Sequence, residues 1–186
     1  GSTLDVADCV IQNFAKNASD GLSGNGILLR PSAGSPTFLI SNTNTSHNAV
    51  AGLVYFPQSG SGAIAGIAMD RVIATRNKYG IVVQASNTSG ATIVSIANSI
   101  AFRNADKGVE LDGSLLKGEI DFCHSDENGT GYFITAATVA IGRSVAAHNT
   151  GVGLFNNGGT VSSYKDNRFN GNSAPTSGTI GNATLY

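Results

Sequence analysis

The chain has 186 residues, of which 41% are hydrophobic and only 12% are charged, and its formal net charge is −1. This length suits one domain with a hydrophobic core, and an uncharged polar surface over β-branched residues favours an all-β fold. The balanced charge excludes the basic stripe of a nucleic-acid-binding protein, and no apolar run approaches the roughly 20 residues that span a bilayer.

The predicted elements, taken from the N-terminus, are short apolar strands separated by turns. The first strand is Asp8 to Phe14, and its turn carries an insertion, Ala15 to Ser23, before an apolar run begins at Ile27. Gly, Ser and Asn in the linkers permit tight turns and positive φ angles. Later apolar stretches follow one another along the chain: Phe38 to Ile40, Ile64 to Met69, Ile93 to Ile96, Ile120 to Phe122 and Val139 to Ile141.

A turn motif recurs between these stretches: an Asn, two or three residues, a Gly and an apolar run. The Asn residues of its copies are Asn48, Asn77, Asn104, Asn128, Asn149 and, in a partial copy, Asn172, at steps of 21 to 29 residues. Short strands with this period cannot bury an apolar face alone, whereas stacked strands can. The sequence therefore predicts an all-β, right-handed parallel β-helix (solenoid) of about six or seven coils.

Stacking in register has consequences for the repeated Asn and for the two cysteines. Each repeated Asn is expected to donate its side-chain amide to the Asn of the next coil, which is a structural role. Cys9 and Cys123 would lie about four coils apart, which is ~19 Å at the spacing of strands in a sheet. A disulfide bridges at most ~7 Å between Cα atoms, so two free, mostly buried thiols are predicted.

Three segments carry a resemblance to a known family: Asp8 to Phe14, the Asn-x-x-Gly-Ile pattern at Asn77 to Ile81, and the ending Ser163 to Phe169. They resemble the parallel β-helix repeats of the pectin-lyase-like superfamily and, more narrowly, uncharacterised exported bacterial β-helix proteins. The resemblance implies a secreted, periplasmic or cell-surface location, although this chain shows no signal-peptide pattern. It also implies that residues 1–186 form a single β-helix domain, or the C-terminal part of a longer β-helix.

Pectin-degrading members of the superfamily carry Asn-Thr-Asp, Asp-Asp, Gly-His-Gly and Arg-Ile-Lys motifs, and this sequence contains none of them. Its densest group of ionisable residues lies in and next to the fifth coil: Asp121, His124, Asp126, Glu127 and Arg103. Stacking would also align Arg76, Arg103, Glu127 and His148 in one outward column. These residues are candidates for acid/base catalysis, and the alternative is a solvated turn where opposite charges alternate. No metal or cofactor is expected, except Ca²⁺ for a calcium-dependent lyase.

A second candidate site comes from the strand that follows each turn Gly. If its first and third residues point inward, the second residues form an outward stripe: Leu28, Val54, Val82, Glu110, Phe133 and Phe155. Five of these six are apolar, and an exposed apolar strip usually marks an interface. The stripe, defined as Leu28, Val54, Val82, Phe133 and Phe155, is expected to mediate side-by-side homo-oligomerisation. The alternatives are a sugar-stacking platform on the two Phe residues, and loops that fold over the strip.

Three hypotheses for function follow. The first is a non-catalytic secreted or envelope scaffold or binding module with carbohydrate as its partner, which accounts for the sparse charge and the missing motifs. The second is a polysaccharide lyase or glycoside hydrolase that acts on acidic polysaccharide through the fifth-coil residues. The third is a segment of a longer protein whose active half lies elsewhere. Fold alone does not choose among them, because one fold hosts many activities.

Overall fold

The computed structural model describes residues 2–17 and 19–183, which form 22 short strands and no helix. The described residues do not include 1, 18 and 184–186 of the predicted domain. Ala18 belongs to the predicted insertion. The strands are, in chain order, β1 (Thr3–Ala7), β2 (Val10–Gln12), β3 (Ile27–Leu29), β4 (Thr37–Ser41), β5 (Asn44–Ser46), β6 (Ala51–Tyr55), β7 (Ala65–Asp70), β8 (Ile73–Thr75), β9 (Tyr79–Gln84), β10 (Thr92–Ala97), β11 (Ile100–Phe102), β12 (Lys107–Asp112), β13 (Leu116–Asp121), β14 (His124–Asp126), β15 (Thr130–Thr135), β16 (Thr138–Gly142), β17 (Val145–Ala147), β18 (Val152–Asn157), β19 (Thr160–Ser163), β20 (Arg168–Asn170), β21 (Ala174–Ser177) and β22 (Ile180–Asn182).

Every third strand belongs to the same sheet, so the chain winds through three stacked sheets. Sheet A contains β1, β4, β7, β10, β13, β16, β19 and β22, sheet B runs from β2 to β20, and sheet C runs from β3 to β21. Neighbouring strands within each sheet pair in parallel. The predicted all-β solenoid of parallel coils is confirmed. The described part of the chain contains no helix with the length and apolar character needed to cross a membrane.

The core runs along the axis of the solenoid and is filled by every second residue of the strands. In β10, Val94 and Ile96 point inward and are 2% and 1% exposed, whereas Ile93, directly before Val94, points outward and is 61% exposed. Equivalent inward residues stack from coil to coil, as Met69, Ile96 and Ile120 do in sheet A. Each fully buried side chain of this size contributes about 1.5–3 kcal/mol relative to an exposed one.

The repeated Asn residues form the predicted ladder inside the corner between sheets B and C, except that Asn128 donates to Asn149 through its backbone N–H and not through its side-chain amide. The side-chain oxygen of Asn104 accepts hydrogen bonds from the backbone N–H of Asn77 at 3.0 Å and from its amide at 3.2 Å. The amide of Asn104 donates in turn to Asn128 Oδ1 and to the carbonyl of Ala74, both at 3.0 Å. Because these groups are buried, each bond prevents a buried polar group from being left unpaired.

The Gly that follows each ladder Asn is required by close packing between coils. A Cβ atom on Gly80 would collide with the carbonyl oxygen of Gly108 and would lie 2.9 Å from Nδ2 of Asn104. On Gly108, a Cβ would meet the Asn128 amide at 2.6 Å. The repeat contains Asn followed by Gly because both residues lie at the same corner, where the backbone of one coil closely approaches the Asn ladder of the next coil.

Residues with left-handed backbone angles form the outer side of this corner: His47, Arg76, Arg103, Glu127 and His148, with φ between 53° and 56°. Such angles cost roughly 1–2 kcal/mol for residues with a Cβ. Hydrogen bonds between coils hold the corner in place; for example, the N–H of Arg76 donates to the carbonyl of Phe102 at 3.2 Å. All five side chains are exposed. The predicted outward column of Arg76, Arg103, Glu127 and His148 is therefore confirmed.

Replacing a middle residue of the ladder tests its contribution to stability. We expect Asn104→Ala to lower the free energy of unfolding by about 2–4 kcal/mol, because it leaves the N–H of Asn77 and the carbonyl of Ala74 unpaired in the core. Urea unfolding followed by circular dichroism measures the change. The matched control is Asn157→Ala on the exposed end of β18, which should change stability by about 0.5 kcal/mol or less. Equal losses in both variants would contradict a structural role for the ladder.

Candidate functional site

The five fifth-coil candidates lie within one region, but they pair separately. Arg103 Nε lies 2.8 Å from Glu127 Oε2 of the next coil, at the corner between sheets B and C. His124 Nδ1 lies 3.3 Å from Asp126 Oδ2 within β14. Asp121 is at the other corner, where its Oδ1 accepts from Arg143 Nε at 2.9 Å. This hydrogen bond raises the pKa of Arg143.

These pairs do not converge on one point where a substrate could be acted on by several of them. Arg103 and Glu127 have half-exposed side chains, and exposed ion pairs of this kind contribute little to stability. Asp126 is held by the backbone, since its Oδ1 accepts from the N–H of Ala147 at 2.7 Å. Among residues 2–17 and 19–183, no three His, Cys, Asp or Glu residues are arranged to hold a metal ion. An acid/base role for Asp121, His124, Asp126, Glu127 and Arg103 stays a prediction.

The predicted stripe forms one continuous column on the outside of sheet C. Leu28 is paired with Val54, and Val54 with Val82. Glu110 follows next to Val82, and Phe133 and Phe155 complete the column. Between them, the inward residues of the same strands are fully buried, as Leu53 and Tyr55 are. The predicted register and the outward direction of this column are therefore confirmed.

The five residues of the stripe are only partly exposed to solvent. Val82 is only 6% exposed, and Leu28, Val54, Phe133 and Phe155 are half-buried. The insertion after β2 lies beside the stripe, because its Gly21 and Leu22 line the same concave surface as Leu28 and Val54. The N–H of Val50 donates to the carbonyl of Gly24, directly after the insertion, at 2.8 Å. The N-terminal end of the stripe, at Leu28, therefore lies next to the insertion.

Loop and sheet together enclose a groove of about 380 Å³. Its floor is Leu28, Val54 and Val82, and its far end is formed by Lys107 and Glu110. The remaining residues of the wall and rim are Gly21, Leu22, Asn25, Val50, Ala51, Phe56, Tyr79 and Gln84. An apolar floor with a few convergent polar groups is the usual composition of a small-molecule or ligand site.

Two contacts link the end of the groove to the aromatic part of the stripe. Lys107 Nζ lies 2.7 Å from Glu110 Oε1, and the two side chains are only 21% and 15% exposed. The same ammonium group lies 3.9 Å from the ring centroid of Phe133, a cation–π contact. The rings of Phe133 and Phe155 are 5.1 Å apart and tilted by 49°. The groove therefore continues along the sheet as an aromatic surface.

Sequence reasoning singled out the stripe but missed Tyr79 and Lys107, which lie beside it. Both residues directly precede a turn Gly, at the same place in successive repeats. Ala51 pairs with Tyr79, and Lys107 pairs with Thr130, so these positions form a second column beside the stripe on sheet C, in which Ala51 is buried and the other three are half-buried. The residue before each turn Gly was the signal that could have identified them.

Comparison of the chain with protein-family models, with curated proteins and with solved structures finds no match. The fold and the geometry of the two candidate sites are therefore the observations on which a function is argued below. Of the two sites, the groove on sheet C brings its residues together around a shared concave surface, and the fifth-coil residues form separate pairs.

Both cysteines are free, as predicted; Cys123 is buried and Cys9 is half-buried. Cys123 lies inside the corner between sheets A and B, where its N–H donates to Ser144 Oγ of the next coil at 3.1 Å. Burial raises the pKa of the Cys123 thiol from an ordinary value of 9.0 to about 11. The thiol is thus protonated at neutral pH and is a structural residue, not a nucleophile.

This pKa predicts how stability depends on pH. Above pH ~9 the unfolded state loses the thiol proton while the folded state keeps it until pH ~11, so stability falls across this range by up to about 3 kcal/mol. We expect Cys123→Ser to flatten this decline and to be well tolerated, because Ser99 and Ser144 have the same hydrogen bonds in the adjacent coils. Urea unfolding at several pH values measures both slopes. Identical slopes for the wild type and the variant would contradict the assignment.

Proposed function

We propose that this chain is a non-catalytic β-helix module that binds carbohydrate on the outer face of sheet C. The observation that carries the proposal is the column of apolar and aromatic side chains, Leu28 to Phe155, which lies in and beyond a groove rather than on a flat surface. The solenoid serves as a rigid support, because equivalent residues in adjacent coils are held by continuous parallel pairing.

The chemistry of the groove suits a sugar chain. A pyranose ring has apolar C–H faces and a rim of hydroxyl groups, so it needs an apolar or aromatic surface next to hydrogen-bonding groups. Val54 and Val82 supply the apolar floor, and Gln84, Lys107 and Glu110 supply polar atoms at its edge. Phe133 and Phe155 offer further ring surface two and three coils beyond Val82.

The location and the family are part of the same proposal. Parallel coils with an Asn ladder support the resemblance to pectin-lyase-like proteins, many of which act on polysaccharides outside the cell. We therefore propose a secreted, periplasmic or cell-surface protein. A polysaccharide of the cell envelope or of the surroundings would be its partner there.

Two other uses of the molecule are outcomes of the same experiments. A polysaccharide lyase or hydrolase would need the fifth-coil residues to act together, and they form separate pairs. Incubation with acidic polysaccharides, with and without Ca²⁺, would reveal it by unsaturated or reducing ends. A homo-oligomer that packs stripe against stripe would bury Phe133 and Phe155, and light scattering would show self-association that these substitutions abolish.

Removing the aromatic rings tests carbohydrate binding directly. We expect Phe133→Ala and Phe155→Ala each to weaken binding about tenfold, which is about 1.4 kcal/mol, since stacking contacts contribute on this scale. Affinity electrophoresis and calorimetry with xyloglucan, galactomannan, polygalacturonate and alginate provide the measurement. The control is Phe122→Ala, which removes a ring that is 51% exposed at a different corner.

The control variant should bind as the wild type does. A wild-type protein that retains none of these polysaccharides would contradict the proposal. So would equal losses in all three Phe variants, because the effect would then not belong to sheet C. Turnover that disappears in Asp121→Ala would favour the enzymatic alternative instead.

A further inference from the structure

The charge of the groove bears on the class of carbohydrate it accepts. Among the residues that line it, only Lys107 and Glu110 are charged, and they neutralise each other at 2.7 Å. The rest of the lining is apolar or uncharged, including Asn25, Tyr79 and Gln84. The lining therefore offers no net charge to a ligand.

Lys107 is held by more than its ion pair. Its ammonium group lies 3.9 Å from the ring centroid of Phe133 and 5.9 Å from that of Tyr79, so two aromatic faces also compensate its charge. A carboxylate ligand would have to displace Glu110 from Lys107, and Glu110 would repel it in a site where the side chains are largely shielded from water. The pair thus disfavours acidic sugars.

The same pair retains hydrogen-bonding capacity for a neutral ligand. Lys107 carries three N–H donors and uses one for Glu110, and Glu110 accepts this bond through Oε1. Glu110 Oε2 takes no part in this bond. A sugar hydroxyl can both donate to Glu110 and accept from Lys107, because a hydroxyl is donor and acceptor at once.

We infer that the groove selects an uncharged polysaccharide, and that the Lys107–Glu110 pair determines this specificity by excluding acidic sugars. The inference rests on the proposed carbohydrate-binding function. Exposed Lys78, at the rim beside Tyr79, does not alter it, since salt screens an exposed charge.

The length of the stripe limits how many sugar units of a bound chain can contact it. Leu28 to Phe155 spans six coils along the solenoid axis, which is ~24 Å at the spacing of parallel strands. A β-1,4-linked pyranose unit advances about as far as one coil. A chain that lies along the axis therefore gains contacts with each added unit up to about five units, after which affinity is expected to level off.

The test compares neutral and acidic oligosaccharides of increasing length, by calorimetry. The probes are xylo- and cello-oligosaccharides for the neutral class and oligogalacturonates for the acidic class. We expect the wild type to bind the neutral probes at least tenfold more tightly, with a dissociation constant that changes little between about 20 mM and about 500 mM NaCl.

Glu110→Gln keeps the shape of the side chain and leaves the Lys107 charge uncompensated. We expect it to bind oligogalacturonate at least tenfold more tightly than the wild type does, in a salt-dependent way. If this variant is unstable, the double variant K107Q/E110Q has no unpaired charge and should not gain acidic binding. The matched control is Asp70→Asn, which removes an acid from the exposed Arg71–Asp70 pair on another face and should change neither class.

Different failures have different meanings. Wild-type binding of acidic probes as tight as that of neutral probes, with loss in Phe133→Ala, would overturn the specificity and leave the carbohydrate-binding function intact. Unchanged acidic binding in a folded Glu110→Gln variant would also overturn the role of the pair. Binding of no probe of either class would overturn the proposed function itself.

Discussion

The buried hydrogen bonds between equivalent Asn side chains are the interaction on which this molecule depends. Asn77 and Asn104 each accept from the backbone and side chain of the previous coil and donate to the next, and Asn128 donates to Asn149 through its backbone N–H. A shift of one residue in any coil would leave several buried polar groups unpaired. The ladder therefore fixes the register, and the register in turn aligns the core, the corner charges and the stripe on sheet C.

Because the ladder and the core secure the fold from inside, the outer faces of the sheets are free to carry function. Sheet C uses this freedom most clearly. Its outer columns combine apolar residues, two Phe rings and one half-buried ion pair, and the insertion after β2 closes one side. At the corner between sheets B and C, by contrast, exposed side chains of adjacent coils form ion pairs with each other, as Arg103 and Glu127 do.

The repeat in the sequence was enough to predict the coils, the ladder and the composition of the stripe. A fixed period makes residues of successive coils neighbours, so Leu28, Val54 and Val82 could be aligned without coordinates. The clustering of Asp121 with Glu127 could not be judged in this way, since the short strand β14 separates them onto opposite corners. Nor does a period reveal where an insertion folds, or that Lys107 reaches across to Phe133.

Among the described residues, the insertion after β2 is the longest connection between strands, and it sits at one end of the stripe, while sheet C continues beyond Phe155 to β21 at the other end. Gain or loss of an entire coil at the Phe155 side would lengthen or shorten the stripe by ~4.8 Å without changing the side next to the insertion. Duplication of a coil would thus change the length of ligand that the stripe can contact, because the new coil repeats the interior contacts of its neighbours.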